Sequence, residues 1–388
     1  MQLNQYYTEN KYGDFLVQSL SISSPQVALD LGFGAGDLLH AAKRRWEEIS
    51  LVGIDIDKSN IIQAKSNKLI KALELNGFEP SLPSIINDRF GTIDLLISNP
   101  PYFSCDLDLN NKEILKAIGM MDCISNKLKK IPAELIFLAQ NLRLLTKSGE
   151  IGIIVPAGLI SGQKWKPIRE FLLYNYLITN VIQLPTNSFK KTDAQTFIMT
   201  IKHKVSINES VALSHVGQES IIGVDLHSAK ERADYSYYQE ISTLKSSKKL
   251  SEHDFIIYRG NKSHNELSTL APEHIHTTNM SNKPTERDIG FFPHKNAKNA
   301  QAGDILIARV GRRCLGRVMR IKKGSGPISD CIIAITPKNE KIGAIIWKKL
   351  SSPKCRNYLM HVSLGVGAKY ITHKTIMDYL TNNYETSK

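Results

Sequence analysis

Cysteine is scarce in this chain of 388 residues, with five residues (Cys105, Cys123, Cys314, Cys331 and Cys355) and no Cys-x-x-Cys pair. An odd number without paired spacing argues against a disulfide framework and a thiolate zinc site, and fits a reducing compartment. Long apolar runs are also lacking. The longest, IGIIVPAGLI at 151–160, is far short of the roughly 18 residues that a membrane-crossing helix needs. The opening MQLNQYYTENKYG is polar, so secretion and membrane insertion are disfavoured and a cytoplasmic location is expected. Negative charge is lacking in one half only. Residues 1–200 hold 21 basic and 20 acidic side chains, whereas 201–388 hold 29 and 17, and together these give the net +13. This asymmetry reads as a chemical module joined to an anion-binding module, with nucleic acid the commonest large anion. A cationic surface that serves solubility is the alternative.

Short β-rich runs alternate with helical patterns through the first half: VALDLG (27–32), LVGIDI (51–56), IDLLIS (93–98), EIGIIVP (150–156), NVIQLP (180–185) and TFIMTIKH (196–203). Between them, stretches such as AELIFLAQNLRLL (133–145) carry apolar residues at helical spacing. The rhythm is that of an α/β fold with a doubly wound, largely parallel sheet. It stops after His203. The expected division is a first domain at 1–205, a connector at 206–244 and a second, α+β or mostly β domain at 245–388, where DILIARV (304–310) and CIIAITP (331–337) read as strands.

ALDLGFGAGDLLHAA reads as a strand ending at Asp30 and Leu31, a loop with Gly32, Gly34 and Gly36, and a helix starting near Asp37. Glycines there let the backbone turn tightly and approach a ligand. The G-x-G-x-G spacing departs from the dinucleotide pattern. Asp55, followed by Ile56, closes the second strand 23 residues after Gly32, where a carboxylate can accept from ribose hydroxyls. Each feature alone reads more readily as a structural turn or a surface acid; together, in this order, they favour an adenosine-containing cofactor. Asp88, in IINDRF before the next strand, is a candidate for the adenine amino group, with a turn or cap aspartate as the other reading.

IDLLISNPPYF delivers Asn99, Pro100, Pro101 and Tyr102 to the carboxyl edge of the sheet, where α/β folds hold ligands. Consecutive prolines fix φ and remove amide donors, which leaves the Asn99 and Pro100 carbonyls as rigid acceptors. An exocyclic amine on a heteroaromatic ring is a poor nucleophile because its lone pair is delocalised. Accepting both amino hydrogens, at the Asn99 side chain and the Pro100 carbonyl, draws the nitrogen towards tetrahedral geometry and permits direct attack on a sulfonium methyl. Tyr102 is placed to stack on the base.

At these residues the chain resembles the adenine-N6 DNA methyltransferases that use S-adenosylmethionine. GEIGIIVPAGLISGQKWKPIREFLL (149–173) and VIQLPTNSFKKTDAQTFIMTIKH (181–203) look like the matching stretch of type I restriction-modification methylation subunits. The resemblance implies that Phe189 packs on a flipped target base and that Tyr7 and Thr8, in QYYTE, touch the methionine moiety of the cofactor. The motif order is that of the gamma class. The likeness covers about the first 205 residues, and D-L-G-F-G-A-G departs from the family's D-P-x-x-G-x-G loop.

RVGRRCLGRVMRIKK (309–323) carries Arg309, Arg312, Arg313, Arg317, Arg320, Lys322 and Lys323 with no acid, and is expected to be a phosphate track. The frame around it is similar to target recognition domains of type I specificity subunits. The histidines at 253, 264, 274, 276 and 294 show no H-x-x-x-H spacing with an acidic partner, and no metal is expected. The expected function is therefore site-specific adenine-N6 methylation of double-stranded DNA, with a segment at 104–130 as a flap over the base. A separate restriction endonuclease or other defence-system subunit is the expected protein partner. The alternatives are methylation of cytosine N4, of an RNA amine or of a protein glutamine, and a DNA-binding subunit of a larger complex.

Overall fold

Strands that are apolar on both faces belong in a sheet covered on both sides. The computed structural model describes residues 10–186, 188–189, 195–204, 209–243, 250–311, 313–365 and 368–381. They form two compact units, divided between Tyr235 and Ser236. The strands of the first unit are β1 (Val27–Leu31), β2 (Ser50–Asp55), β3 (Ile70–Glu74), β4 (Leu95–Ser98), β5 (Ser104–Asp106), β6 (Lys130–Pro132), β7 (Glu150–Pro156), β8 (Tyr176–Gln183), β9 (Thr196–His203), β10 (Ser210–His215) and β11 (Ile222–Asp225).

Nine of them make one sheet in the order β11-β10-β8-β9-β7-β4-β1-β2-β3, and β5 pairs with β6. The five strands from β3 to β7 along that order run parallel, and β9 is antiparallel to both its neighbours. The helices are α1 (Asn10–Gln18), α2 (Asp37–Arg45), α3 (Lys58–Asn67), α4 (Leu82–Phe90), α5 (Leu109–Lys116), α6 (Ala133–Leu144), α7 (Ala157–Ser161), α8 (Lys166–Asn175) and α9 (Leu226–Glu231). Leu29, Leu31, Leu51, Ile54, Leu95 and Ile97 are essentially inaccessible, each worth about 1.5–3 kcal/mol of burial.

Chain order reverses at β1, whose two neighbours are β2 and β4, so a crevice opens at the carboxyl ends of these strands. Register sets what arrives there. Leu31 lies opposite Ile54, and Asp30 lies between Gly53 and Ile97. The loops beginning at Gly32, Ile56 and Asn99 therefore share one edge. Behind them, the buried Glu150 carboxylate accepts from the amides of Ser21 (2.8 Å) and Ile22 (2.7 Å), which secures the chain ahead of β1.

The first unit extends beyond the expected limit at 205, because β10 and β11 add to its sheet. Arg169 explains how the rest is held. Its buried guanidinium donates to the carbonyls of Lys230 (2.8 Å), Leu159 (2.7 Å) and Glu231 (2.6 Å), joining α9 to the start of α8. The stretch is polar enough to read as a linker, yet residues 209–235 are part of this unit, with β10 and β11 in its sheet. A strand that pairs only at the sheet's edge needs few apolar residues.

In the second unit, α10 (Tyr235–Thr243) is followed by β12 (Phe255–Arg259), α11 (His264–Leu270), β13 (Thr285–Phe291), β14 (Asn299–Gln301), β15 (Ile305–Ala308), β16 (Val318–Pro327) and β17 (Ile332–Pro337). Helices α12 (Glu340–Leu350), α13 (Pro353–Val362) and α14 (His373–Thr381) complete it. The sheet order is β12-β17-β15-β16-β13, with β14 beside β16. Alternate residues face opposite sides. Ile305, Ile307, Ile333 and Ile335 pack with Ile346, Leu359 and Ile376 of the helices, whereas Leu306, Met319 and Ala334 pack with Ile275, Met280 and Ile328. This unit is α+β. Among the described residues no helix is long and apolar enough to cross a membrane.

Candidate active site

The turn after β1 is built from three glycines at positive φ: Gly32 (77°), Gly34 (55°) and Gly36 (85°). Side chains are strained in that region. At Gly36 space also forbids one, because a Cβ would lie 2.8 Å from Ile70 Cδ1. The Gly32 amide donates to the Ile54 carbonyl (2.7 Å), which fixes the turn to the end of β2. Gly36 caps α2, whose first turn carries Asp37 and whose last carries Lys43, Arg44 and Arg45, matching the helix dipole at both ends.

Asp55 is buried and shapes this turn. Its Oδ2 accepts from the Gly34 amide (2.9 Å) and Asn60 Nδ2 (3.0 Å), and its Oδ1 from the Asp57 amide (2.8 Å). Beside it Ile56 is 52% exposed, a flat apolar surface at the rim. Gly32, Gly34, Asp30, Asp55 and Ile56 all line one cavity of about 640 Å³, together with Asn99, Pro100 and Pro101. Seven of the nine expected cofactor residues are described, and six of those, including Gly36 through the cap it forms, sit around this turn. Tyr7 and Thr8 lie outside the described residues.

Asp30 is only 2% exposed, and its Oδ1 has no hydrogen-bond partner. Burial, then the neighbouring Asp55 and Asp37 carboxylates, push its pKa well above the usual range. Asp37 is raised by burial too, with His40 and Arg44 opposing. An orphaned buried carboxyl oxygen amid like charges is unfavourable unless a cation meets it. S-adenosylmethionine carries an ammonium and a sulfonium, and this end of the cavity fits them. Asp55 would be the residue to accept from its ribose, and the exposed Ile56 would offer its adenine an apolar surface.

Asp88 is not part of the site. It lies exposed on α4, because 82–90 is helix and the third strand is β3. The loop after β3 brings Asn76 and Phe78 to the cavity instead. Asn76 Oδ1 accepts from the Phe78 amide (3.1 Å), and Gln140 Nε2 holds the Gly77 and Glu79 carbonyls (3.1 and 2.8 Å). A Cβ at Gly77 would meet Phe137 Cζ at 2.7 Å, so that ring closes the floor. Phe78 stands 5.6 Å from Phe137 and 6.0 Å from Phe103, giving an aromatic wall. The readable signal for this loop is the Asn76-Gly77 pair after IKALEL.

At the other wall, Ser98 Oγ ties β4 to the Leu31 carbonyl (3.3 Å). The Tyr102 hydroxyl lies 2.9 Å from Asn99 Oδ1 and 3.2 Å from the Ile154 carbonyl, a donor to either. Burial, then the Glu134 carboxylate, raise the Tyr102 phenol well above its usual range. Burial in turn holds Glu134 up to about 7, opposed by a backbone hydrogen bond. Tyr102 is not among the cavity-lining residues; Phe103 is. Phe189 is 3% exposed in the hydrophobic core, 6.0 Å from the Tyr12 ring, so its expected place on a base is not where the structure puts it. A large apolar ring gains more from the core than from an open cleft.

Segment 104–130 is β5, α5, a 3-10 turn at Met120–Cys123 and the start of β6. Cys105, Asp106, Asp108 and Lys130 from it also face the cavity.

The basic run of the second unit is not one face. Arg309 Nε donates to the Asp330 carbonyl (3.3 Å), and Arg317 Nη1 to the Met280 carbonyl (2.9 Å). Arg320 reaches towards Gly343 on α12. Only Arg313, Lys322 and Lys323 are exposed, and Arg312 lies outside the described residues. Strand parity and the turn at 311–316 disperse a stripe that is continuous in sequence. His264, His274 and His276 do gather, with His264 Nδ1 2.8 Å from His274 Nε2 and His264 stacked on His276 at 4.2 Å. Among the described residues no group of three or more His, Cys, Asp or Glu could hold a metal ion.

Comparison with known proteins agrees with the fold. The chain is 35% identical over 86 residues to the release factor glutamine methyltransferase of Fusobacterium nucleatum, a match covering 22% of this chain and 24% of that one. It is 32% identical over 93 residues to the tRNA1(Val) (adenine(37)-N6)-methyltransferase of Pseudoalteromonas translucida, covering 24% and 39%. It thus spans less than half the length of the curated relatives it matches. In fold it is similar to the type IIG restriction endonuclease BpuSI, with TM-score 0.56 at 14% identity, over 96% of this chain and 58% of that one. The model of the N-6 DNA methylase family matches residues 2–248. That stretch is an S-adenosylmethionine-dependent methyltransferase domain, and the chain belongs to the N-6 DNA methylase family.

Proposed function

We propose that the protein methylates the exocyclic N6 of adenine in duplex DNA. The observation that carries this reading is the position of Asn99, Pro100 and Pro101 on the wall of the cofactor cavity, at the switch point of the sheet. When bound, S-adenosylmethionine supplies an electrophilic methyl group on its sulfonium. Asn99 Oδ1, which lies 2.9 Å from the Tyr102 hydroxyl, accepts one amino hydrogen, and the Pro100 carbonyl accepts the second. Tyr102 thereby orients the Asn99 amide, so that its oxygen and not its nitrogen faces the amine. The two acceptors hold the amine pyramidal at the point of attack, and proximity supplies much of the rate.

An adenine inside a duplex cannot reach this wall, so it must leave the stack, at a cost of about a few kcal/mol. Backbone contacts from the basic second half, at 29 basic against 17 acidic residues over 201–388, offset that cost. Of the expected contacts, Arg313, Lys322 and Lys323 are free to make them from the surface.

Transfer of labelled methyl to duplex DNA, transfer RNA and protein in parallel, followed by nucleoside and amino-acid digestion, tests the reading. N6-methyladenine in DNA supports it. Label confined to RNA or to glutamine overturns it. Asn99→Ala is expected to reduce transfer by about 10²–10³-fold, the scale of removing one preorganised polar group, with cofactor affinity little changed.

A further inference from the structure

We infer that Arg259, Arg309 and His373 form a phosphate-binding notch in the second unit that takes a backbone phosphodiester of the nucleic acid. The inference rests on the nucleic-acid reading above and names a set of contacts that no continuous stretch of sequence contains.

The notch is a product of strand register. Arg259, at the end of β12, lies opposite Ile333 of β17, and Ile333 lies opposite Ile307 of β15. These three share the sheet face that α12, α13 and α14 cover. Arg309 is two residues beyond Ile307, hence on the same side. The chain then returns to it. The Ile371 amide donates to the Arg309 carbonyl (3.0 Å), Tyr370 bridges to Val310, and the Arg309 guanidinium stands 5.8 Å from the Tyr370 ring. His373 opens α14 two residues later.

Counter-charge is short here. Among the described residues neither arginine nor His373 forms an ion pair with a carboxylate, and the one carboxylate acting on Arg309 is that of Asp330, beside the Cys331 thiol and the Tyr370 phenol. Arg309 uses its Nε on the Asp330 carbonyl (3.3 Å), and Arg259 makes only a long contact to the Gly260 carbonyl (3.4 Å). Burial, then Arg259 and Arg309, hold His373 below its usual value. Two guanidinium forks and an imidazole that repel one another gain most from a tetrahedral oxyanion, which a fork can grip with two parallel bonds.

The test is duplex DNA binding by the full chain, read by fluorescence anisotropy over a range of salt. Arg259→Ala and Arg309→Ala are each expected to weaken binding by about tenfold and to lower the salt slope by about one. Arg309→Lys, which keeps the charge and loses the fork, should fall between. Lys348→Ala, an exposed cation on α12, is the control. Thermal melting and S-adenosylmethionine affinity confirm folding of each variant. Slopes equal to wild type in the arginine variants overturn the notch. Should the wild type bind no duplex, the nucleic-acid reading fails, and titration of His373 by NMR with inorganic phosphate decides the notch alone. A rise in the His373 pKa with phosphate supports it, and an unchanged pKa overturns it.

Discussion

Both units end a sheet with like charges crowded together, and the signs are opposite. In the first, Asp30, Asp37 and Asp55 meet beside the glycine turn, with Asp30 Oδ1 left without a partner. In the second, Arg259, Arg309 and His373 meet where α14 begins. Neither crowd helps folding. Each costs stability in the free protein; a cationic cofactor would offset the first, and, on the reading proposed above, an anionic polymer would offset the second. The acidic crowd lies deep, so its penalty is large and specific. The basic crowd is shallower, so salt screens it.

The comparison can be broken most sharply at Asp55. Its two oxygens hold the glycine turn, Asn60 and the Asp57 amide, so Asp55→Ala should lower S-adenosylmethionine affinity by about 100-fold, as calorimetry would show. That is the size of losing more than one hydrogen bond to a charged group. An affinity within threefold of wild type would remove Asp55 from the site. Arg169→Met comes next, because it strands the carbonyls of Leu159, Gly162, Lys230 and Glu231 and should cost about 3 kcal/mol in urea unfolding. A cost below about 0.5 kcal/mol would mean that residues 209–235 are not held by it.

Asp30→Asn has two effects of opposite sign. It should weaken cofactor binding by about tenfold, yet raise the melting temperature of the free protein at neutral pH. Its folded pKa exceeds the unfolded one, so the native state binds more protons, and stability falls as pH rises from the ordinary carboxylate range through the raised value. Glu134 behaves alike, with its decline between its ordinary 4.5 and about 7. Glu134→Gln should flatten that part of the melting curve against pH; an unaltered curve would show that Glu134 titrates normally. The smallest effect belongs to Arg259→Ala, which should raise the melting temperature by about 1 °C at low salt and not at all at 1 M. An increase that persists at high salt would rule out charge repulsion as its cause.

Much of the first unit was legible because its information is local. VALDLGFGAGD states a strand, a turn that only glycine makes easily and a helix start within one short stretch, and SNPPYF follows a strand whose four residues are all buried. What was missed is equally particular. IKALE carries Lys71 and Glu74 because β3 is an edge strand, so it did not read as one, the strand count slipped, and Asp88 took a position that Asn76 holds. Phe189 was placed on the base by resemblance alone, and in the fold it packs against Tyr12 in the core.

The sequence by itself determined the order of the motifs, the α/β class and the family, since each rests on residues adjacent along the chain. Only the tertiary structure decided which charges share a place. Arg309 to Lys323 is one run on paper and several surfaces in the fold, whereas Arg259, Arg309 and His373 are far apart on paper and neighbours in the fold. The reason is register. A side chain's face on a sheet depends on how its strand pairs with strands distant in sequence, and a shift of one residue reverses it.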